Sequence, residues 1–492
     1  MSGLPGKKVF ILHPSRNIID IVCFGRSVSG LKNCDDILSR VKRIHFVGIG
    51  GSGMCPLAEI LYHKGFSLSG SDVFESDTLE RIRGYGFPIF MGHRAENVEC
   101  AELVVYTAAV KQDNPELMAA HERGIPTVER SVLLGMVTRR YEDAVAVSGT
   151  HGKTTTTAML TQVFLTAGMD PTAIIGGKLP LLGGNSCVGK SDLMVCEACE
   201  YVDTYLQLTP AVSIILNIDA DHLDYFKNLE NIIHSFHQFA SQTERLLVVN
   251  GDDENTKKAI SGLEIPVVTF GIGEKNDYFA AEVGEETGVR EHFALIHHGE
   301  KLCEIHLKVP GRHNICNALA AAAAAHQLGA RPEDIARGLS DFTGVHRRFE
   351  ILGKPGGVTV ADDFAHHPTE LTATLTAAMG MGFERVWAVF QPHTYSRTYL
   401  LLDDFARALS IPDRAVLSEI LAVRETNTYH IYAKDLADKV PGCVWFTTFE
   451  EIADYIAGKA APGDLVLTLG GGNVYQCAHM ILDRLKTAQT IK

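Results

Sequence analysis

The sequence predicts an α/β protein of three domains, each built around a mostly parallel sheet. Three observations predict it. The chain has 492 residues, and at about 100–200 residues per domain that is too long for one hydrophobic core. Its composition, 46% hydrophobic and 21% charged, is that of an ordinary globular chain and excludes disorder for the bulk. Short apolar runs then alternate with helix-period segments in three successive blocks, the order that builds parallel sheets covered by helices.

Residues 1–41 carry few signals. Met1 to Lys8 reads as a loose end, Val9 to Leu12 as a short strand and Asp35 to Val41 as a helical turn. The first block opens at Arg43. Arg43 to Val47 and Leu103 to Tyr106 are short apolar runs, hence strands. Met54 to Lys64 has helical spacing and stops at Gly65, and Pro115 to Arg123 stops at Gly124. Polarity rises at Arg139 to Asp143, the first boundary. In the second block Ala144 to Val147, Leu193 to Cys196, Val212 to Leu216 and Leu246 to Val249 are strands, and Lys153 to Ala167 is a helix closed by Gly168. Phe293 to Ile296 and Leu302 to Leu307 flank His298-Gly299 as an antiparallel hairpin. Asn314 to Leu328 is an Ala-rich helix ending at Gly329, and Pro332 suits the first turn of the next. Past Gly344 the rhythm restarts, with strands at Val358 to Ala361, Val386 to Phe390, Ala415 to Leu417 and Leu465 to Leu469. The blocks share a pattern without sharing residues, so they are not repeats.

Lys and Arg number 45 against 59 Asp and Glu, a net charge of −14. A chain this acidic does not hold long nucleic acid by its overall field. Anionic ligands must instead meet local backbone N–H groups, a few Lys or Arg, and metal ions. No run of 18 apolar residues exists, so no membrane insertion is expected. Val9 to Leu12 ends at His13, Pro14 and Arg16, too short for a signal-peptide core. The 11 cysteines are odd in number and scattered, which argues against a disulfide framework and fits a cytoplasmic location.

Chemistry-bearing motifs sit at strand ends. Gly48-Ile49-Gly50-Gly51-Ser52-Gly53 follows a strand and opens a helix, where glycines let the backbone approach a phosphate. Asp72, ending the next strand in Ser69-Gly70-Ser71-Asp72, stands where a carboxylate meets a ribose hydroxyl. This motif alone does not separate NAD from another nucleotide diphosphate. Ser148-Gly149-Thr150-His151-Gly152-Lys153-Thr154-Thr155 has the Gly-Lys-Thr end of a phosphate loop. Lys153 would reach the terminal phosphates and the Thr154 hydroxyl would ligate Mg²⁺. Val147 stands where the strict pattern has glycine, so the loop is a shorter variant. Asp219-Ala220-Asp221-His222-Leu223-Asp224 gathers carboxylates and an imidazole that suit Mg²⁺ or Mn²⁺. Glu197 ends a neighbouring strand, so Glu197 and His222 should face the phosphate loop together. Cys196-Glu197-Ala198-Cys199 is a lone C-x-x-C without a second pair, and Cys196 reads as a core strand residue. In the third block, Asp362-Asp363-Phe364-Ala365-His366-His367-Pro368 and Gln391-Pro392-His393-Thr394-Tyr395-Ser396-Arg397-Thr398 end strands. They read as a ligand edge, or more plainly as helix capping by Asp363 or Thr394.

The run Gly149 to Thr157, Gly-Thr-His-Gly-Lys-Thr-Thr-Thr-Thr, resembles the ATP loop of the Mur ligases. The order of the other motifs resembles that family too: Gly48 to Met54, Ser69 to Asp72, Asp221-His222, Gly311-Arg-His-Asn314 with Asn317, Val345 to Phe349, Asp362 to Pro368 and Phe390 to Arg397. The resemblance runs from about residue 42 to the C-terminus. It implies a Rossmann-like UDP-sugar-binding domain at 42–142, a central P-loop ATPase domain at 143–345 and a C-terminal Rossmann-like, amino-acid-binding domain at 346–492. Residues 1–41 have no counterpart.

The resemblance also implies the activity and the sites. The expected reaction joins L-alanine to the carboxylate of UDP-N-acetylmuramic acid at the expense of ATP, by a monomer or dimer. Gly48, Gly50, Gly51, Ser52, Gly53, Met54, Asp72, His93, Thr107, Ala108, Ala109 and Val110 would bind the UDP-sugar. Gly149, Thr150, His151, Gly152, Lys153, Thr154 and Thr155 would cradle ATP, with His313, Asn314 and Asn317 at adenine. Arg348 and Asp363 would meet its ribose and phosphates. Thr154 and Glu197 would hold one Mg²⁺ and His222 a second, so that Lys153, Glu197 and His222 are the catalytic residues. His366, His367 and Arg397 would lie near the amino acid. Relatives acting later in the pathway often carry a carbamoylated lysine after the metal-binding histidine. Asn231 to Gln238 offers His234 and His237 but no lysine, which fits the alanine-adding member. Besides a non-catalytic nucleotide sensor, two rivals remain at this point. One is a relative that attaches a ready-made peptide to the same sugar nucleotide. The other is an NAD-dependent dehydrogenase resting on Gly48 to Gly53, which leaves the loop at Gly149 and the turn at His222 unexplained.

Overall fold

Each block of alternating strands and helices folds around its own sheet in the computed structural model, which describes residues 35–286, 290–423 and 425–490. The strand expected at Val9 to Leu12 and the end at Met1 to Lys8 lie outside the described residues. Contacts divide the chain into two compact units, one up to Met136 and one from Val137.

After a short helix at Asp35–Arg40, the first unit carries β1 (Arg43–Val47), β2 (Ser67–Asp72), β3 (Ile89–Met91), β4 (Leu103–Tyr106) and β5 (Thr127–Glu129). They form one parallel sheet in the order β3-β2-β1-β4-β5. Val47 pairs with Ser71 on one side and Tyr106 on the other. The glycine loop therefore leaves β1 at the point where the strand order reverses, the ligand crevice of such sheets. Gly48 turns out of the strand at φ +82°, and the helix Cys55–His63 carries Pro56 in its first turn. Gly65 at φ +88° and Gly124 at φ +67° lie just past the ends of their helices, as the sequence predicts. Ile44, Phe46, Leu57, Ile60, Val104 and Leu117 are buried between sheet and helices. The helix Arg130–Thr138, absent from the sequence reading, precedes the polar stretch at Arg139 to Asp143.

The second unit holds two sheets. Its larger one contains β6 (Asp143–Ser148), β7 (Thr172–Leu179), β8 (Gly184–Cys187), β9 (Leu193–Glu197), β10 (Val212–Ile215), β11 (Leu246–Asn250), β12 (Val267–Gly271), β13 (Tyr278–Glu286), β14 (Arg290–His297) and β15 (Glu300–Leu307). The order is β15-β14-β13-β12-β11-β10-β6-β9-β7-β8, parallel from β13 to β7 and antiparallel at both edges. β6 lies between β9 and β10, so the phosphate loop emerges at mid-sheet between the ends of two parallel neighbours. The helix Lys153–Thr166 follows the loop directly and is largely buried. Beside it runs Arg312–Gln327, whose Ala318 to Ala325 are all fully buried. Small side chains let these two buried helices approach each other while both cover the sheet.

The smaller sheet is β16 (Glu350–Gly353), β17 (Thr359–Asp363), β18 (Val386–Phe390), β19 (Arg414–Leu417), β20 (Val444–Trp445) and β21 (Leu465–Leu469). Its order is β16-β17-β21-β18-β19-β20, with only β16 antiparallel. Leu371, Leu375 and Phe405 bury one face against the helices Pro368–Gly380 and Leu402–Leu409; Val360, Val389 and Ile481 bury the other. The nine cysteines among the described residues are free, and Cys196 is buried on β9 as the sequence predicts. Among the described residues no helix is long and apolar enough to cross a membrane.

Candidate active site

In the first unit the glycine loop is shaped by a carboxylate. Asp72, at the end of β2, accepts the Gly50 N–H through Oδ2 at 2.9 Å and the Val73 and Phe74 N–H groups through Oδ1. The geometry gives Asp72 a loop-bracing role beside the ribose contact expected of it. Thr107 lies against the same loop: a Cβ on Gly48 would sit 3.1 Å from Thr107 Cγ2. Ala108, Ala109 and Val110 continue the turn, with Val110 N–H donating to Thr107 O. His93 is held from behind. Its Nδ1 lies 2.8 Å from Glu116 Oε2 and 3.1 Å from Ser71 Oγ. Glu116 is fully buried and also accepts from Ser71 Oγ (2.7 Å) and Asn97 Nδ2 (2.5 Å). The sequence reading missed Glu116, because a glutamate in the first turn of a helix reads as a favourable helix-end charge.

In the second unit the phosphate loop bends through glycines at φ +136° (Gly149) and φ +86° (Gly152). Only glycine fits at Gly152, since a Cβ there would overlap Asn317 Oδ1. Asn217 clasps the loop from the end of β10, accepting the His151 N–H and donating to His151 O. Lys153 is folded back. Its ammonium donates to Gly149 O (2.6 Å), Thr150 O (3.1 Å) and both carboxylate oxygens of Glu200 (3.0 and 2.8 Å). Burial works against this ammonium, but the Glu200 charge outweighs it and raises the lysine pKa.

Thr154 Oγ1 donates to Glu197 Oε2 at 3.2 Å, so the expected first pair of ligands meets. Glu197 also accepts the Gly176 N–H. Burial pushes its carboxyl above the usual range. A hydroxyl and a partly buried carboxylate beside a phosphate loop form the hard-oxygen donor set that suits Mg²⁺, whose charge would offset the desolvation. His222 sits in a left-handed backbone turn at φ +52°. Its Nε2 lies 3.8 Å from Glu200 and 3.7 Å from Asp221, and its ring packs on Tyr201 at 4.7 Å. Glu200 was not singled out from the sequence, although it stands one residue past the C-x-x-C that was.

A cavity of about 460 Å³ opens beside the loop. Of the residues expected to hold ATP, His151, Gly152, Thr155, His313, Asn314, Asn317, Arg348 and Asp363 line it, drawn from both sheets, while Gly149, Thr150, Lys153 and Thr154 do not. His313 lines this cavity from the first turn of the helix Arg312–Gln327. Asp363 accepts the Phe349 and Ala365 N–H groups at 2.7 Å, and burial pushes it up to about 6. Thr394 does cap a helix, accepting the Arg397 N–H, whereas Asp363 does not. The helix Pro368–Gly380 is capped instead by His367, with Glu370 completing a capping box.

The residues expected near the amino acid form part of a seam between the two sheets. Arg397 Nη2 donates to Asp221 Oδ1 at 2.9 Å. Thr369 Oγ1 donates to Asp219 Oδ2 at 2.6 Å. His151 lies 3.3 Å from both Asp219 and Glu370. His366 donates its backbone N–H to Glu370 and packs edge-on against His393. His151, Asp219 and His367 bring ligand-type atoms within 4.8 Å of one another. Both ring nitrogens of His367 are engaged, Nδ1 by the Thr369 N–H and Nε2 beside Ala220 O, so the trio closes the seam.

Burial would lower the His151 pKa, but Asp219 and Glu370 raise it from 6.5 to about 9. Its folded value is the higher one. The stability it contributes is therefore complete below about 6.5 and lost as pH rises through about 9. Urea midpoints should fall over that window in the native chain, and His151→Gln should remove the fall. An unchanged slope in the variant would refute the assignment.

Three family profiles match this chain: "Mur ligase family, catalytic domain" over residues 43–142, "Mur ligase middle domain" over 147–325 and "Mur ligase, glutamate ligase domain" over 347–472. The chain is 44% identical over 456 residues to a UDP-N-acetylmuramate–L-alanine ligase of Acetivibrio thermocellus, covering 90% of this chain and 96% of that one. It is likewise 44% identical to the enzyme of that name in Caldanaerobacter subterraneus, covering 91% and 99%. Among solved structures it resembles the UDP-N-acetylmuramate-alanine ligase of Thermotoga maritima, with a TM-score of 0.76, 30% identity, and 91% and 99% of the two chains covered. A murein peptide ligase of Psychrobacter arcticus shares the fold at a TM-score of 0.69 and 24% identity, with 90% and 99% covered.

Proposed function

Because the chain belongs to the Mur ligase family, we propose that it is the ATP-dependent ligase that joins L-alanine to UDP-N-acetylmuramic acid in peptidoglycan precursor synthesis. The observation that carries this reading is the convergence of a phosphate loop, a partly buried carboxylate and a histidine turn, with a cavity lined from two sheets opening beside the loop. It is joined to 44% identity over nearly the whole length of relatives that bear that name.

A carboxylate is inert to amines. The γ-phosphoryl group of ATP therefore moves first to the muramate carboxylate, giving an acyl phosphate. The alanine amine then attacks the acyl carbon, and the tetrahedral intermediate expels phosphate. Two anions must approach in the first step. Lys153 supplies fixed positive charge at the terminal phosphates, and the backbone N–H groups at the start of Lys153–Thr166 cradle them. Thr154 and Glu197 would hold one Mg²⁺ and His222 a second. When bound, these ions neutralise charge on the transferring group. His313, Asn314 and Asn317 would receive adenine, with Arg348 and Asp363 at the ribose and phosphates. Gly48 to Met54, Asp72, His93 and Thr107 to Val110 would receive the UDP-sugar. His366, His367 and Arg397 would position the amino acid. Water would hydrolyse the acyl phosphate, so the seam of Asp219, Thr369, Asp221 and Arg397 serves to exclude it. Holding the partners in place can supply roughly 7–11 kcal/mol of barrier reduction. The need for ATP and a UDP-sugar supports a cytoplasmic reaction.

The test is ADP release with ATP, Mg²⁺ and UDP-N-acetylmuramate, with and without L-alanine. Release that needs all components, with one new amide product, is expected. Release with a peptide but not with L-alanine would transfer the assignment to peptide attachment. Hydride transfer with NAD would point to the dehydrogenase reading.

A further inference from the structure

Glu200 is buried, carries no role in the reaction just described, and touches both ends of its charge chemistry. Its side chain is 3% exposed. Both carboxylate oxygens accept from the Lys153 ammonium, at 3.0 and 2.8 Å. An ammonium has three protons. Those of Lys153 are spent on Gly149 O, Thr150 O and Glu200, so none is left for a phosphate until one of these bonds is given up. The two carbonyls belong to the loop itself and stay with it. The Glu200 bond is the one that can be exchanged, because Oε1 also lies 3.8 Å from His222 Nε2, on the side where the proposed second cation would sit. Two carboxylates stand beside His222 Nε2, Asp221 at 3.7 Å and Glu200 at 3.8 Å, and Asp221 is already engaged by Arg397, which leaves Glu200 as the one whose partner can change.

We propose that Glu200 is a positioning residue that alternates between two cations: it holds the Lys153 ammonium while the phosphate loop is empty, and turns to the divalent cation beside His222 when the triphosphate takes the lysine. The exchange keeps a buried carboxylate paired in both states, which avoids the cost of an uncompensated buried charge. It also releases Lys153 only to a ligand that brings phosphate and metal together, so the resting loop resists free inorganic anions. The proposal rests on the reading of Lys153 as the phosphate lysine and of Glu197 and His222 as cation ligands.

The test uses the full chain and the variants Glu200→Gln, Glu200→Asp and Glu197→Gln. In EDTA, calorimetry is expected to show ATP binding to Glu200→Gln about 5- to 10-fold tighter than to the native chain, with AMP binding unchanged. A merely structural role would loosen both nucleotides together. With a non-hydrolysable ATP analogue and Mn²⁺, electron paramagnetic resonance should count two bound ions in the native chain and one in Glu200→Gln. Glu200→Asp, which keeps the charge on a shorter stem, should fall between. Unchanged or weaker metal-free ATP binding in both Glu200 variants, or two Mn²⁺ ions retained in Glu200→Gln, would overturn the proposal. Two ions retained in Glu197→Gln as well would instead overturn the cation-site reading on which it rests.

Discussion

Lys153→Ala will lower kcat for ADP release by about 10³-fold or more, with far less change in affinity for the UDP-sugar. Lys153 is the ammonium of the loop and already lies at Gly149 O and Thr150 O, whereas the neighbouring His151 is engaged by Asp219 and Glu370. No neighbour replaces it. Arg348 lines the adjoining cavity but comes from the turn before β16, in the other sheet. The variant also strands Glu200, a buried carboxylate whose ammonium partner is gone. Stability will therefore fall together with turnover. The double variant Lys153→Ala/Glu200→Ala separates the two effects. It should regain most of the stability and none of the turnover. Turnover restored by the second substitution would show that the lysine acts only by neutralising Glu200.

Arg397→Ala should have the next largest effect. Arg397 and Asp221 are 11% and 9% exposed and make two hydrogen bonds, one of them 2.9 Å long. Burial favours the neutral form of Asp221, yet the guanidinium holds its carboxyl well below the usual carboxylate range. Removing the arginine leaves that carboxylate uncompensated, at a cost of about 3–5 kcal/mol. The loss falls on the seam between the two sheets of the second unit. Limited proteolysis near Gly344 to His346 should accelerate, and the unfolding midpoint should drop. Arg397→Lys keeps charge but loses the two-pronged bond, and should recover only part of the stability. A variant as protease-resistant as the native chain would show that the pair does not hold the seam.

Much of this architecture was legible in the residues. The strands β1, β4, β6, β9, β10, β11, β18 and β21 are mostly apolar without strict alternation because parallel strands are buried on both faces. Helix ends at Gly65, Gly124, Gly168 and Gly329 were legible because a left-handed residue closes a helix cheaply only when it is glycine. The elements that were missed lack those signals. In β7 the run Ala173 to Ile175 is cut by Gly176-Gly177, and in β13 the run Tyr278 to Ala281 gives way to a glutamate-rich end, so in each only half of the strand carries an apolar signal. In the candidate site the loop residues were legible because their spacing is local. Glu200, Glu116, Thr369 and Glu370 were not, because each owes its place to a partner far away in sequence. Glu370 meets His151 across 219 residues. Capping was half legible: Thr394 is an ordinary cap, but a histidine cap such as His367 has no sequence signature.

The contact between Gly152 and Asn317 ties the phosphate loop to a helix that the ribosome makes much later. Asn317 lies where a Cβ on Gly152 would be, accepts from the Thr156 hydroxyl and donates to Asn314. The conformation at Gly152 is thus completed by the helix Arg312–Gln327. A nascent chain that has delivered Ser148 to Thr166 holds all the letters of the loop without its final shape. Grafting those letters into another scaffold would transfer the motif and leave its wall behind. The wall of this loop is therefore complete only once Asn317 has docked against it.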